Sequence, residues 1–459
     1  MNATSTVPVW VEGGGEQVVA HVGLHALGCF ADRLGLGDAL SEAVVAGGDQ
    51  RVLVHDRGKV LTQMMLVLAG GGECCADIEY LRVQPGLFGP VPSDSTVWRT
   101  FERIDSVTLG YLRQAAGAVR SQVWARSAVT TGTSPVTLDL DASLVEIHSE
   151  HKDGTGPTYK GGFGFHPMFC FADATGEALS GLLRPGNAGA NSIADHLAVL
   201  DTAIDQLPGW VAVGHRPGDD PARVARALRV RADSAACSAT LAAGLRERNV
   251  GFSVTARSNR AISAAISRVV GDGETAGWAP ALGQDGNQRD RSAVIEVTDL
   301  VDLSGWPAGT RLIVRREPLH PGAQTSLFPS LEFRYWGHYT DQAGDPAVLD
   351  ADMRAHAHVE DHIRRLKASG LERFPFANLD ANRAWMATVC MAADLVRWFQ
   401  LLCLTGPLAA AEPKTLRWAL WHTPGRLVRR ARRHIVRLLE HWPTTTDLLD
   451  AYGRIATIT

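Results

Sequence analysis

The chain has 459 residues, 45% of them hydrophobic and 20% charged, with a formal net charge of −4. That is the make-up of an ordinary soluble globular protein with room for two or three domains and a substantial core. The negative balance weighs against broad nucleic-acid binding, which needs Lys and Arg to neutralise phosphates, so any such role must rest on a local basic cluster.

The N-terminus, Met1-Asn2-Ala3-Thr4-Ser5, lacks the basic and apolar regions of a signal peptide. No apolar run approaches the ~20 residues needed to cross a bilayer, so the expected location is cytoplasmic, with no membrane partner. The seven cysteines are odd in number and include no CxxC pair, which suggests neither a disulfide framework nor a zinc site.

Residues 20–128 read as helical. Leu61, Met64, Met65 and Leu68 recur at helical spacing, as do Ile104, Val107 and Tyr111. Ser93 or Ser95 is an N-cap candidate for a helix carrying Trp98, Arg99 and Arg103. After a small, polar linker at 127–135 the pattern changes to strands. Thr137, Asp139, Asp141 and Ser143 share one face, with Val136, Leu138, Leu140 and Leu144 on the other. Segments 159–172 and 178–183 continue a β-meander. A helix is expected over 193–206 and a strand over 228–232, which delivers Asp233 at its end.

Residues 250–347 are rich in strands and turns and carry Trp278, Trp306 and Trp336, with an exposed loop expected over 271–291. From about 350 the chain reads as helical, with a long apolar helix over 382–404 and a basic helix over 425–441. No acidic residue occurs between Lys414 and Arg437, where Arg429, Arg430, Arg432 and Arg433 cluster. That cluster is the candidate DNA contact, and Trp418 and Trp421 are expected to pack it onto the core.

Three acidic settings carry the chemistry. Asp139 and Asp141 lie about 7 Å apart on one strand face backed by leucines, so their repulsion calls for a cation or a proton. Asp233 ends a second strand, and Glu360 lies on a helical run with His356 and Lys367 on the same face. Two strand carboxylates and one helix carboxylate can hold a pair of Mg²⁺ ions for in-line attack on a phosphodiester. The acids at 141, 233 and 360 are 92 and then 127 residues apart, and the second gap must contain its own folded element.

These pieces, in this order, resemble the IS4-like DDE transposases, and more closely the IS1380-type bacterial insertion-sequence transposases. The most specific are Leu138 to Ser143, Tyr159 to Pro167, Leu183 to Asn191, Arg231 to Ser234 and Val359 to Lys367. The resemblance implies an α/β fold with an RNase H-like catalytic core interrupted by a β-rich insertion, between helical N-terminal and C-terminal regions. The expected organisation is a helical DNA-binding region over 1–130, core over 131–249, insertion over 250–349, core again over 350–410, and a basic helical region over 411–459.

The resemblance further implies metal-dependent cleavage and strand transfer of insertion-sequence ends by Asp141, Asp233 and Glu360, with two Mg²⁺ ions or Mn²⁺. Asp141 is preferred to Asp139 because Ala142 and Ser143 follow it, as small or hydroxyl residues follow the family acid. Asp139 is kept as a further metal candidate. The implied partners are double-stranded DNA, as terminal inverted repeats and target, and a second copy in a synaptic homodimer on the bacterial nucleoid. His356 stands where the family has an Arg, and Lys367 stands in the family's Lys position. Lys160, Arg184, Asn187 and Asn191 are further DNA-contact candidates. In relatives that open a DNA hairpin, an aromatic residue of the insertion stacks on a flipped base. The rival readings are an inactive, domesticated DNA-binding protein of the same fold and a metal nuclease without strand transfer.

Overall fold

The computed structural model describes residues 17–149, 151–271, 277–319, 333–430 and 433–458. The N-terminal region is helical, as its periodicity requires. Its main helices are α1 (Val22–Arg33), α2 (Leu36–Ala46), α3 (Arg57–Gly70), α4 (Asp94–Phe101) and α5 (Ser106–Arg126). Leu61, Met64, Met65 and Leu68 of α3 are fully buried. Val107 and Tyr111 are not: they lie on the outer face of α5, whose buried stripe runs through Leu109, Leu112, Ala116, Val119 and Val123. The Asp105 carboxylate accepts from the Thr108 N–H at 2.8 Å and sets the start of α5. That cap shows which residue opens the helix and so turns the apolar spacing by about one position. On α4, Trp98 packs on Phe376 with ring centroids 4.5 Å apart, while Arg99 and Arg103 are exposed.

The centre is one nine-stranded sheet. In chain order its strands are β1 (Val136–Ala142), β2 (Met168–Ala172), β3 (Glu177–Leu182), β4 (Leu228–Ala232), β5 (Val250–Thr255), β6 (Ala279–Leu282), β7 (Gln288–Glu296), β8 (Arg311–Pro318) and β9 (Phe333–Thr340). The spatial order is β6-β7-β8-β9-β5-β4-β1-β2-β3. The pairs β1/β4 and β4/β5 are parallel and all the others are antiparallel. The expected meander is β1-β2-β3. The 250–349 region contributes β5, parallel to β4, and β6 to β9, which extend the same sheet from the β5 edge rather than forming a sheet of their own. Of the loop expected over 271–291, residues 272–276 lie outside the described residues, and the rest includes β6 and the start of β7.

Period two sorts the sheet into two cores. Leu138 and Leu140 of β1, with Met168 and Cys170 of β2, pack under α6 (Ile193–Gln206) and α7 (Ala239–Arg246). Phe169 and Phe171 point to the opposite face, against α9 (His358–Leu366) and α10 (Leu379–Cys403), while α8 (Pro346–Arg354) covers the same face further along, with Leu349 on Ala281, Val294 and Ile313. Asp139 and Asp141 therefore face the α8–α10 layer. The helix α10 is long and apolar enough to cross a membrane by length and composition, but most of it is buried within the second core.

A buried polar cluster ties α5, β3 and α10 together. The Arg120 guanidinium donates to Glu177 at 2.9 Å and to Asp394 at 2.5 Å. Trp124 and Trp398 donate their indole N–H groups to Glu177 at 2.7 and 2.6 Å.

The basic segment over 425–441 is not a helix. It forms an antiparallel hairpin of β10 (Gly425–Arg430) and β11 (Arg433–Leu438), with the short strand Val18–Val19 on the outer edge of β10. Leu427, Val436 and Leu438 pack on the main core, which a strand alternation achieves. Trp421 is buried but Trp418 is 80% exposed, so only one of the two packs inward. Arg432 lies outside the described residues.

Candidate active site

Strand register brings the first two acids together. Leu140 pairs with Ala232 on the parallel strands β1 and β4, so Asp141 and Asp233 follow side by side at the same strand ends. Asp233 then caps the turn Ser234–Ala236 by accepting from the Ala235 N–H at 2.8 Å. Glu360 projects from the first turn of α9. Asp141 and Glu360 line one cavity of about 520 Å³ with Ser143, Arg364, Lys367 and Glu372.

The electrostatics register all three acids. The Asp141 carboxyl is pushed up to about 6, chiefly by burial. The negative charges of Asp233 and Glu360 add to the rise, against the Ala142 N–H and His356, which lower it. The donor set is all carboxylate oxygen, which suits hard divalent ions such as Mg²⁺ or Mn²⁺. No group of three or more His, Cys, Asp or Glu side chains among the described residues is close enough to hold a metal ion.

Asp139 is differently placed. It is fully buried, and Arg231 grips it with two bonds of 2.9 and 2.8 Å. His356 Nδ1 lies 2.8 Å from the same carboxylate. Burial alone would raise the Asp139 pKa, but His356 and Arg231 hold it below its ordinary value. Arg231 also reaches Asp173 at 2.9 Å and the Asp352 carbonyl at 2.8 Å, and Arg229 pairs with Asp352 at 2.6 Å. This network locks α8 and the start of α9 onto β1 and β4, beneath the acids.

Its arginines and their carboxylate partners Asp173 and Asp352 were missed from sequence. The available signal was Arg229 and Arg231 at period two on a buried strand, since such cations require carboxylates on the facing layer. Asp139→Ala should therefore lower stability by about 1–3 kcal/mol by stripping partners from a buried guanidinium. It should spare any Mg²⁺-induced rise in melting temperature, whereas Asp141→Ala should remove that rise. Thermal melts of both variants, with and without Mg²⁺, check this.

The remaining candidates separate. Lys367 is at the site: it lines the Asp141 cavity and donates to the Leu144 carbonyl at 3.2 Å. It opens a π-helical stretch that continues α9 with helical backbone angles, and His356 lies in a short 3-10 stretch before α9, so the expected helical run over 356–367 holds with a change of pitch at each end. His356 is buried and committed to Asp139 through one nitrogen, which removes it from the exposed phosphate-contact position; its Nε2 has no hydrogen-bond partner.

Arg184 is 4% exposed and donates to the His166 and Gly189 carbonyls and to Asp195, so it holds the turn together instead of presenting itself to DNA. Asn187, Asn191 and Lys160 are exposed, with Lys160 over the Tyr159 ring. Arg429 lies on the face of the hairpin opposite Arg430 and Arg433.

The tryptophans of the 250–349 region also differ. Trp306 stacks on Tyr339 at 4.2 Å and belongs to the core. Trp278 lies beneath the Arg316 guanidinium. Trp336 is 46% exposed in a groove of about 800 Å³ that begins at Ser234, next to Asp233, and includes Arg257 and Tyr335.

The fold is thus a mixed α/β protein with acids gathered at the ends of two parallel strands, facing a helix. The family model described as "Transposase DDE domain group 1" matches residues 1–459, and the chain belongs to that family. Among solved structures, it is similar to the piggyBac transposase in a cryo-EM synaptic complex with hairpin DNA. The two share 11% identity over 86% of this chain and 80% of that chain, with a TM-score of 0.43. No curated protein matches the chain.

Proposed function

We propose that this transposase-family chain cleaves DNA and transfers strands at the ends of an insertion sequence of the IS1380 type, in a metal-dependent reaction. The observation that carries the reading is the placement of Asp141 and Asp233 at adjacent parallel-strand ends, with Glu360 lining the Asp141 cavity; the three side chains would have to draw together around an ion to hold it. The order β3-β2-β1-β4-β5, with only β1, β4 and β5 parallel, supports an RNase H-like core.

Asp141, Asp233 and Glu360 would hold two Mg²⁺ ions, or Mn²⁺, which supply an activated water or 3′-hydroxyl and stabilise the leaving oxygen. Lys367 would meet the scissile phosphate from the same cavity. Trp336 is the candidate for stacking on an extruded base, since it combines exposure with a groove running to the Asp233 turn. Asn187, Asn191 and Lys160 are exposed where they can meet DNA. Two ends must be joined, so the working assembly is a dimer with both ends bound.

The deciding experiment is incubation with Mg²⁺ and the element's own end sequence, with products resolved by strand. Joined products support strand transfer. Cleaved but unjoined ends indicate a plain nuclease, and intact DNA with tight binding indicates an inactive DNA-binding protein.

The raised Asp141 pKa gives a readout besides activity. A carboxyl whose folded pKa exceeds the ordinary ~3.9 favours the fold when protonated. That stabilisation is present below about pH 4 and is lost as pH rises through about 6. At pH 7 the ionised Asp141 is a net cost, so Asp141→Asn should stabilise the metal-free protein by roughly 1–3 kcal/mol. Mg²⁺ should raise the melting temperature of the wild type but not of Asp141→Asn. A variant no more stable than wild type at pH 7 would count against a crowded acidic site.

A further inference from the structure

The hairpin β10/β11 carries a charge pattern that the fold does not use. Its register places Arg426 opposite Arg437, Val428 opposite Ile435, and Arg430 opposite Arg433. Directly opposed residues share a face, so these six side chains form one side of the ribbon. The other side holds Leu427, Val436 and Leu438 against the core. Leu427 is close enough to Gly86 that a Cβ there would meet it at 2.5 Å. The face with four arginines is therefore the outward one, and all four are exposed.

Like charges directly opposite each other destabilise a ribbon. Here two such pairs stand on one face, in a protein of net charge −4. None of the four has a carboxylate partner among the described residues, and Arg426 donates only to the neutral side-chain oxygen of Gln17. The repulsion is relieved when a polyanion neutralises both pairs.

The spacing identifies the polyanion. Arg426 and Arg430 are four residues apart on one strand, as are Arg433 and Arg437 on the other, which at strand rise is about 13 Å. The major groove of B-DNA is about 12 Å wide and admits a two-stranded ribbon. Each arginine pair can meet the phosphates of one groove wall, with Val428 and Ile435 over the floor between them.

We propose that β10/β11 is a duplex-DNA ribbon that seats its Arg426, Arg430, Arg433 and Arg437 face across the major groove. The proposal rests on the reading of this chain as a DNA-acting transposase and adds an element, a face and a mode of docking to it. Contacts of this kind fix position rather than sequence.

The test is a salt titration of the full-length protein on a fluorescein-labelled duplex of arbitrary sequence, read by anisotropy. Replacing all four arginines by Ala should make the slope of log affinity against log salt shallower by about 3 to 4 units, and replacing them by Lys should preserve it. The neighbours Arg429 and Arg430 give a pair matched in charge that stays informative even if the fourfold variant fails to fold. Arg430→Ala should lower the slope by about one unit and Arg429→Ala should leave it unchanged.

Equal effects from the two neighbours, or an unchanged slope in the fourfold variant of a wild type that binds DNA, would overturn the ribbon and spare the transposase reading. A wild type that binds no duplex even at low salt would overturn both. Binding to phosphatidylserine vesicles that equals duplex binding and is lost with the same four residues would assign the face to an anionic surface instead.

Discussion

Alanine at Asp141, Asp233 or Glu360 is expected to abolish end cleavage while leaving end binding largely intact. The expectation follows from placement. Asp141 and Asp233 sit at the ends of neighbouring parallel strands, and Glu360 lines the Asp141 cavity from α9, so each acid comes from a different element. Asp139 is the other carboxylate on the same strand face, but it is fully buried and occupied by Arg231 and His356. A carboxylate committed to two partners cannot turn toward a metal without leaving a buried guanidinium uncompensated. The losses should be complete within assay range, because under the proposed mechanism each acid would be needed to hold the metal ions. Strand-resolved gels with Mg²⁺ measure the cleavage, and anisotropy on the same duplex measures the binding. Cleavage at wild-type rate by Asp233→Ala would end the three-acid mechanism. Activity in Asp141→Ala together with loss in Asp139→Ala would exchange the two strand aspartates.

How much of this was legible in the sequence depended on whether the signal was local. The helix over 193–206 and the strand over 228–232 read correctly because their periodicity lies within the segment. The face shared by Asp139 and Asp141 was equally legible from alternation. Which of the two is free was not, because the answer lies in Arg231 and His356, which reach Asp139 from β4 and from the turn before α9.

The basic hairpin was misread for another reason. Leu427, Val428, Ile435, Val436, Leu438 and Leu439 recur at spacings that fit a helix as well as two short strands, and Arg is a good helix former. Pairing with Val18–Val19 and docking of Leu427 against Gly86 favour the strands, and both are distant in sequence. The continuity of the 250–349 strands with the core sheet was hidden in the same way, since it rests on the pairing of β5 with β4 and of β9 with β5.

The largest loss of stability is expected from Arg120→Ala. Arg120 is 1% exposed and lies between Glu177 and Asp394, which are equally buried. The Asp394 carboxyl is pushed up to about 7, chiefly by burial, with Arg120 opposing the rise and Glu177 adding to it. Removing the guanidinium leaves two buried carboxylates without it, supported by the Trp124 and Trp398 indoles and the Ala178 N–H. Breaking a buried pair from one side costs about 3–5 kcal/mol, because a charge is left unpaired.

The cluster joins α5, β3 and α10, so the loss should spread from the helical region to the sheet edge. Arg120→Lys should recover only part of it, because one ammonium cannot match the forked contact to two carboxylates. Asp394→Asn in the Arg120→Ala background should recover more, since it removes one of the two stranded charges. Urea denaturation of the three variants measures this. A midpoint for Arg120→Ala within error of wild type would mean that the two acids take up protons at little cost, and that the cluster is not what joins the helical region to the sheet.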